Sequence, residues 1–277
     1  MLEATLLALG SAALHAFWNL LVKTSTTRFL TAWGQFVVGG VLAAPVLFFI
    51  GFPETRAWPY LAASSLVHVV YIGALVRAYH HGDFSVAYPL ARGGGALLAA
   101  LGGVAFLGDE LSAPAWLAIA VVVGGLASLV RWQVGHVALL WAGLTAMTIG
   151  TYTTLDAAGA RDSSSGFAYG IALFLGAALA LTAAGVARGQ AGDLVRLLRT
   201  DARPRIVVGG LSSVVAYSMV LAAVRLAPVG YVAALRESSV VLGALAGWLL
   251  LHERLGRARL VSSAVIALGL ILLIVFR

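Results

Sequence analysis

Three charged residues stand where an apolar chain can least accommodate charge. Arg92 lies in AYPLARGGGALL, and Arg236 lies in VAALRESSVVLG with Glu237 beside it; both stretches are otherwise apolar or small. An arginine at the centre of an isolated membrane helix costs about 2.5–3.5 kcal/mol on the insertion scale. A guanidinium held there offers a fork of donors suited to a carboxylate, a phosphate or a phosphonate. The competing reading is that each arginine pairs with a protein carboxylate or helix carbonyls and merely locks the bundle. Glu237 has three readings: a proton carrier, a partner for a substrate amine, or a fixed ion pair with Arg92. Adjacent helical residues point about 100° apart, so Arg236 and Glu237 do not face one partner squarely.

Other polar and aromatic residues fall at helical spacing around these charges. His15 and Asn19 share a face, with Trp18 beside them; His68 and Tyr71 share another, and Tyr88 and Arg92 a third. Thr145, Thr148 and Tyr152 form a stripe, and Tyr217 and Tyr231 are further candidate rings. Gathered together, they would line a cavity for a small amphipathic molecule held by rings and oriented by a few polar groups. Taken singly, a His or Thr is as well explained by an interhelical hydrogen bond. The run His80-His81-Gly82-Asp83 has metal-ligand residue types, but adjacent histidines at a helix end read as solvated, and no second cluster supports a site. No metal and no cofactor is expected. There is no Gly-x-Ser-x-Gly elbow and no His-Glu-x-x-His, so the chain is not read as an enzyme.

The elements that must position these residues are membrane helices. Of 277 residues, 61% are hydrophobic and 10% charged, against about 25% charged in a soluble domain. The mean hydropathy is +0.98. The chain lacks cysteine, which excludes disulfides and thiolate metal sites. The net charge of +7 sits mostly in short loops, where it speaks to membrane orientation rather than to nucleic acid. Apolar runs of about 20 residues lie near Ala4–Val22, Thr31–Ile50, Pro59–Ala78, Ser85–Leu107, Ala113–Val130, Gly135–Leu155, Gly166–Val186, Ile206–Val224, Gly230–Leu251 and Ala258–Phe276. They are continuous rather than alternating, which favours helices over barrel strands. The first does not read as a signal peptide, since Glu3 precedes it without a Lys or Arg.

The ten spans divide into two sets of five, residues 1–132 and 133–277. Arg92 and Arg236 are 144 residues apart, and Glu110 and Glu253 are 143 apart. His15, Asn19 and Lys23 fall against Thr148, Tyr152 and Asp156 at a spacing of 133. Because five is odd, the second copy enters the membrane from the opposite side, giving an inverted repeat with its site near the midplane. Loops after odd-numbered spans hold twelve Lys and Arg residues against four elsewhere, which places both termini outside.

This pattern resembles the drug/metabolite transporter superfamily, specifically its ten-helix EamA-type exporters. The residues carrying the resemblance are HAFWNLLVK at 15–23, GDFSVAYPLARG at 82–93, LGDEL at 107–111 and APVGYVAALRESSVVLGALAGWLLLHERL at 227–255. The resemblance implies an all-α integral membrane protein of the inner membrane, with an inverted five-plus-five repeat and alternating access. It implies export of a small, amino-acid-like metabolite, and the two arginines suit one with an anionic group; a phosphonate or a phosphate-bearing lipid, which would also use them, is the alternative. It also implies cytoplasmic termini, opposite to the charge count. The expected partners are the substrate, the lipid bilayer and a proton as coupling ion, in a monomer or a dimer. The expected substrate-binding set is Arg92, Arg236, Tyr88, His15, Trp18, Asn19, His68, Tyr71, Thr148, Tyr152 and Tyr217, with Glu237 as the proton-coupling candidate. The fourth and ninth spans, with the first, third, sixth and eighth, are expected to line the cavity, and the second, fifth, seventh and tenth to face lipid.

Overall fold

The computed structural model of the chain describes residues 1–23, 25–81, 84–128, 135–200, 202–242 and 257–276. The side chains of 19, 23, 79, 84–90 and 257–260 lie outside that description. Among the described residues every regular element is helical. They are α1 (Leu2–Lys23), α2 (Arg28–Ile50, interrupted by a 3-10 turn at Ala44–Val46), α3 (Trp58–His81), α4 (Phe84–Leu107), α5 (Ala113–Ala127), α6 (His136–Arg161), α7 (Gly166–Ala187), α8 (Ala191–Leu198), α9 (Arg203–Ala223), α10 (Val229–Arg236) and α11 (Arg257–Val275).

Local chemistry explains many of the boundaries. Ser112 and Ser165 cap α5 and α7, their hydroxyls accepting from the amides of Ala115 and Ala168 at 3.3 and 3.2 Å. Pro114 and Pro204 occupy the first turns of α5 and α9, where the missing amide hydrogen is harmless. Gly51 and Gly108 follow α2 and α4 at φ 87° and 68°, a left-handed conformation that glycine adopts without strain.

The long apolar helices leave large side chains facing outward, including Phe48, Phe49, Phe106, Leu140 and Leu179. In water such a surface would be costly; in lipid it is the expected one. Five helices have the length and hydropathy to cross a membrane, and three described apolar segments are shorter: Ala91–Leu107, Ala113–Ala127 and Val261–Val275. The protein is therefore an all-helical, multi-pass membrane protein.

Packing is reciprocal. The third span (α3) lies on the sixth (α6), and the eighth (α9) lies on the first (α1). The second (α2) packs on α9, and the seventh (α7) on α3; the fifth (α5) meets the tenth (α11). Each of these contacts is repeated five spans on, whereas the packing of α7 on α9 has no equal between α2 and α3 among the described residues. The boundary drawn between residues 132 and 133 lies outside the described residues.

Small residues permit the tight crossings. A Cβ on Gly95 of α4 would collide with Ile149 of α6, and one on Gly39 of α2 would stand 2.6 Å from the carbonyl oxygen of Gly210 on α9.

Three features depart from the expectations. α6 runs to Arg161, past the apolar stretch ending at Leu155, because Ala157, Gly159 and Ala160 continue a buried helix face. α8 adds a short amphipathic helix within the basic segment after α7, seating Leu194 against Trp33 and Leu181. α7 was expected to face lipid, yet it is more buried than α1 or α3, being packed by α2, α3 and α9.

Candidate functional site

The ninth span is not a continuous helix. α10 ends at Arg236, and the Glu237 amide reaches back to the Ala234 carbonyl at 3.0 Å, three residues rather than four. Helix resumes at Ser238. The tightened turn places four consecutive polar residues, Arg236, Glu237, Ser238 and Ser239, inside the bundle. Among the described residues, the Arg236 Nε and the hydroxyls of Ser238 and Ser239 are buried without a hydrogen-bond partner. Interrupted helices with unpaired polar groups are where membrane transporters hold substrates and ions.

Arg92 enters from α4. Its guanidinium binds Glu237 with Nη2 at 2.6 Å from Oε1 and Nε at 3.4 Å from Oε2. Both side chains are buried. This is the fixed ion pair anticipated as one reading of Glu237, and it spans the two halves. Arg236 points elsewhere, as the 100° offset requires. It lies over the ring of Tyr217, 5.5 Å from the centroid, and is 5% exposed. Among the described residues it makes no ion pair.

Tyr217 belongs to an aromatic cluster drawn from α2, α3, α6, α7 and α9. His68 and Tyr152 lie 4.3 Å apart by centroid, and Tyr71 and Tyr152 lie 5.4 Å apart. Tyr152 and Tyr217 are 6.1 Å apart, and Phe36 stacks on Phe174 at 4.8 Å beneath them. The His68 Nδ1 lies 2.8 Å from the carbonyl of Ser64, one turn back, which fixes the ring orientation. His15 packs edge-on against Trp18 at 4.9 Å, and both arginines act on it electrostatically.

The structure thus brings together Arg236, Tyr217, Tyr152, Tyr71 and His68, with His15 within electrostatic range. Thr148 is buried on α6, but its hydroxyl donates to the Thr145 carbonyl and so serves its own helix. Tyr231 bonds to Thr5 at 2.7 Å and ties α10 to α1. Asn19 and Tyr88 sit on α1 and α4, but their side chains lie outside the described residues, as does Asp83. His80 and His81 are exposed at the end of α3.

One buried carboxylate was not among the charges that the sequence reading singled out. Asp156 of α6 is fully buried. Its Oδ1 accepts from the Tyr169 hydroxyl at 3.2 Å and its Oδ2 from the Tyr217 hydroxyl at 2.6 Å. The signal was present in the stripe Thr145, Thr148, Tyr152, which continues to Asp156 at helical spacing.

A second polar network closes one end of the bundle. Asp109, in the loop after α4, accepts from the Val229 amide at 2.6 Å and so caps α10. It also pairs with Arg161 at 2.7 Å, and Arg161 donates to the Val224 carbonyl at 2.8 Å. Beside it, Glu54 accepts from the Ser164 amide at 2.8 Å while Arg225 donates to the Ser164 carbonyl at 2.6 Å. Hydrogen bonding to Ser164 holds the Glu54 carboxyl below its ordinary range. Residues from four loops, all following even-numbered spans, are tied together on this face.

Comparison with known proteins agrees with the architecture. The model of the EamA-like transporter family matches residues 136–275. Searched against curated proteins, the chain has no match. A solved structure described only as "Crystal structure of protein" is 18% identical, with a TM-score of 0.76 over 99% of both chains. At that identity the likeness speaks to the fold alone. The chain belongs to the EamA-like transporter family, whose members are membrane transporters of the drug/metabolite type rather than enzymes.

Proposed function

We propose that this transporter carries a small metabolite bearing one anionic group, amino-acid-like in character, with the anion seated on Arg236. The observation that carries this reading is the unequal state of the two buried arginines. Arg92 is neutralised by Glu237, whereas Arg236 is buried among rings with Nε unpartnered among the described residues. A buried cation without a carboxylate is costly. A substrate carboxylate would relieve that cost and gain the charge-assisted bonds a guanidinium fork supplies. Tyr71, Tyr152, Tyr217 and His68 would enclose the rest of the molecule. One available arginine, counted among the described residues, suits one carboxylate better than a dianionic phosphate, which disfavours the phosphonate and phosphate-lipid reading.

Arg92 and Glu237 then act as a fixed strut between the two five-span halves, 1–132 and 133–277. Alternating access is a rocking of those halves about the site, with the Asp109–Arg161 network opening and closing one end. Export across the inner membrane follows from the resemblance to EamA-type exporters.

A panel of amino acids, small carboxylates, phosphonates and lipid phosphates, scored by thermal shift on the purified protein, tests this reading. Amino-acid-like carboxylates should stabilise the wild type and lose that effect in Arg236→Gln. Stabilisation only by phosphonates or lipid phosphates, or a carboxylate shift unchanged in Arg236→Gln, would contradict it.

A further inference from the structure

We propose that Asp156, rather than Glu237, is the proton-binding residue of the transport cycle, linked to Arg236 through Tyr217. This rests on the anion site proposed at Arg236. The two carboxylates inside the bundle differ in what surrounds them. Glu237 is held by a guanidinium, so a proton on it would compete with a charge-assisted pair. Asp156 is met by hydroxyls: Tyr169 from α7 and Tyr217 from α9, with Ser64 of α3 within reach. No cation among the described residues pairs with it.

The groups facing Asp156 can be named element by element. α3 brings Ser64, with His68 behind it against Tyr152; α6 brings Tyr152, α7 brings Tyr169, and α9 brings Tyr217. Arg236 of α10 lies over the Tyr217 ring, and Arg92 is paired with Glu237. A phenol both donates and accepts, so this setting can satisfy Asp156 in either protonation state. The proton comes from solvent, forms an O–H bond on one carboxylate oxygen, and returns to solvent when the site empties.

Tyr217 makes the link. Its hydroxyl is on Asp156 and its ring carries Arg236. A guanidinium with no anion on it favours a charged carboxylate across the shared Tyr217 ring; an anion seated on it cancels that field. The anion and the proton therefore assist each other's binding, and by linkage the assistance is equal in both directions. The device couples proton binding to anion binding at the site.

The test needs no substrate. Infrared spectra of the whole protein in detergent are recorded through a pH titration, following the C=O stretch of a protonated buried carboxyl. That band should titrate in the wild type, disappear in Asp156→Asn and persist in Glu237→Gln. In Arg236→Gln the midpoint should rise by about one pH unit or more, a roughly tenfold gain in proton affinity. Tyr217→Phe, which loses the donated hydrogen bond, should shift it the same way. Absence of a titrating band in the wild type, its survival in folded Asp156→Asn, or a midpoint unmoved in both Arg236→Gln and Tyr217→Phe would overturn the proposal. Should Asp156→Asn fail to fold, the two midpoint shifts decide. A failed ligand panel with a normal titration would instead count against the anion site.

Discussion

Arg92 and Arg236 hold equivalent places in the two halves, yet they do different things. Arg92 is locked to Glu237 through two hydrogen bonds, a contact between the first half and the second. Arg236, immediately before that glutamate, turns toward Tyr217 and leaves its Nε unpaired among the described residues. The asymmetry comes from one acid: Glu237 has no counterpart beside Arg92, where Gly93 stands. On the proposed reading, two cations at equivalent spacing are divided into a strut and a receptor. The extra carboxylate serves the arginine of the opposite half because its own neighbour points away.

That division can be broken deliberately. The largest effect should come from Arg92→Ala, which leaves Glu237 buried without a partner. The expected loss is about 3–5 kcal/mol of stability, measured by thermal unfolding in detergent. The double variant Arg92→Met with Glu237→Met should recover most of it, since neither charge remains stranded. Arg236→Gln should cost far less stability but lose about 1.5–3 kcal/mol of affinity for an anionic ligand, a tenfold or greater rise in Kd by calorimetry. If both arginines cost the same stability, the strut and the receptor are not distinct. Tyr217→Phe should cost about 1 kcal/mol of stability through its lost hydrogen bond to Asp156, leaving the Arg92 side untouched. The smallest effect lies outside the membrane. Glu54 is held below the ordinary carboxylate range by Ser164. Its contribution is present above the unfolded-state value and lost as pH falls through the folded one. Glu54→Gln should therefore flatten the acid side of the Tm profile slightly without altering the central site.

Much of this was legible in the residues. Continuous apolar runs of membrane length marked the helices, and the repeated arginine marked the places worth examining. The 100° offset between neighbours correctly separated the directions of Arg236 and Glu237. What could not be read was which alternative each charge takes, because the pairing of Arg92 with Glu237 depends on the tightened turn at Glu237 and on the crossing of α4 with the ninth span. Asp156 was missed for a different reason. Hydropathy ended the sixth span at Leu155, although small residues carry the helix to Arg161 and bury the acid that follows. α7 misled in the opposite way: a uniformly apolar helix looks lipid-facing, yet Tyr169 and Phe174 make it part of the core.

The most direct test of the central claim is calorimetric titration of the best carboxylate ligand into wild type, Arg236→Gln and the Arg92→Met/Glu237→Met double variant. The account predicts that binding survives in the double variant and falls at least tenfold in Arg236→Gln. Binding that survives in Arg236→Gln and vanishes in the double variant would contradict it.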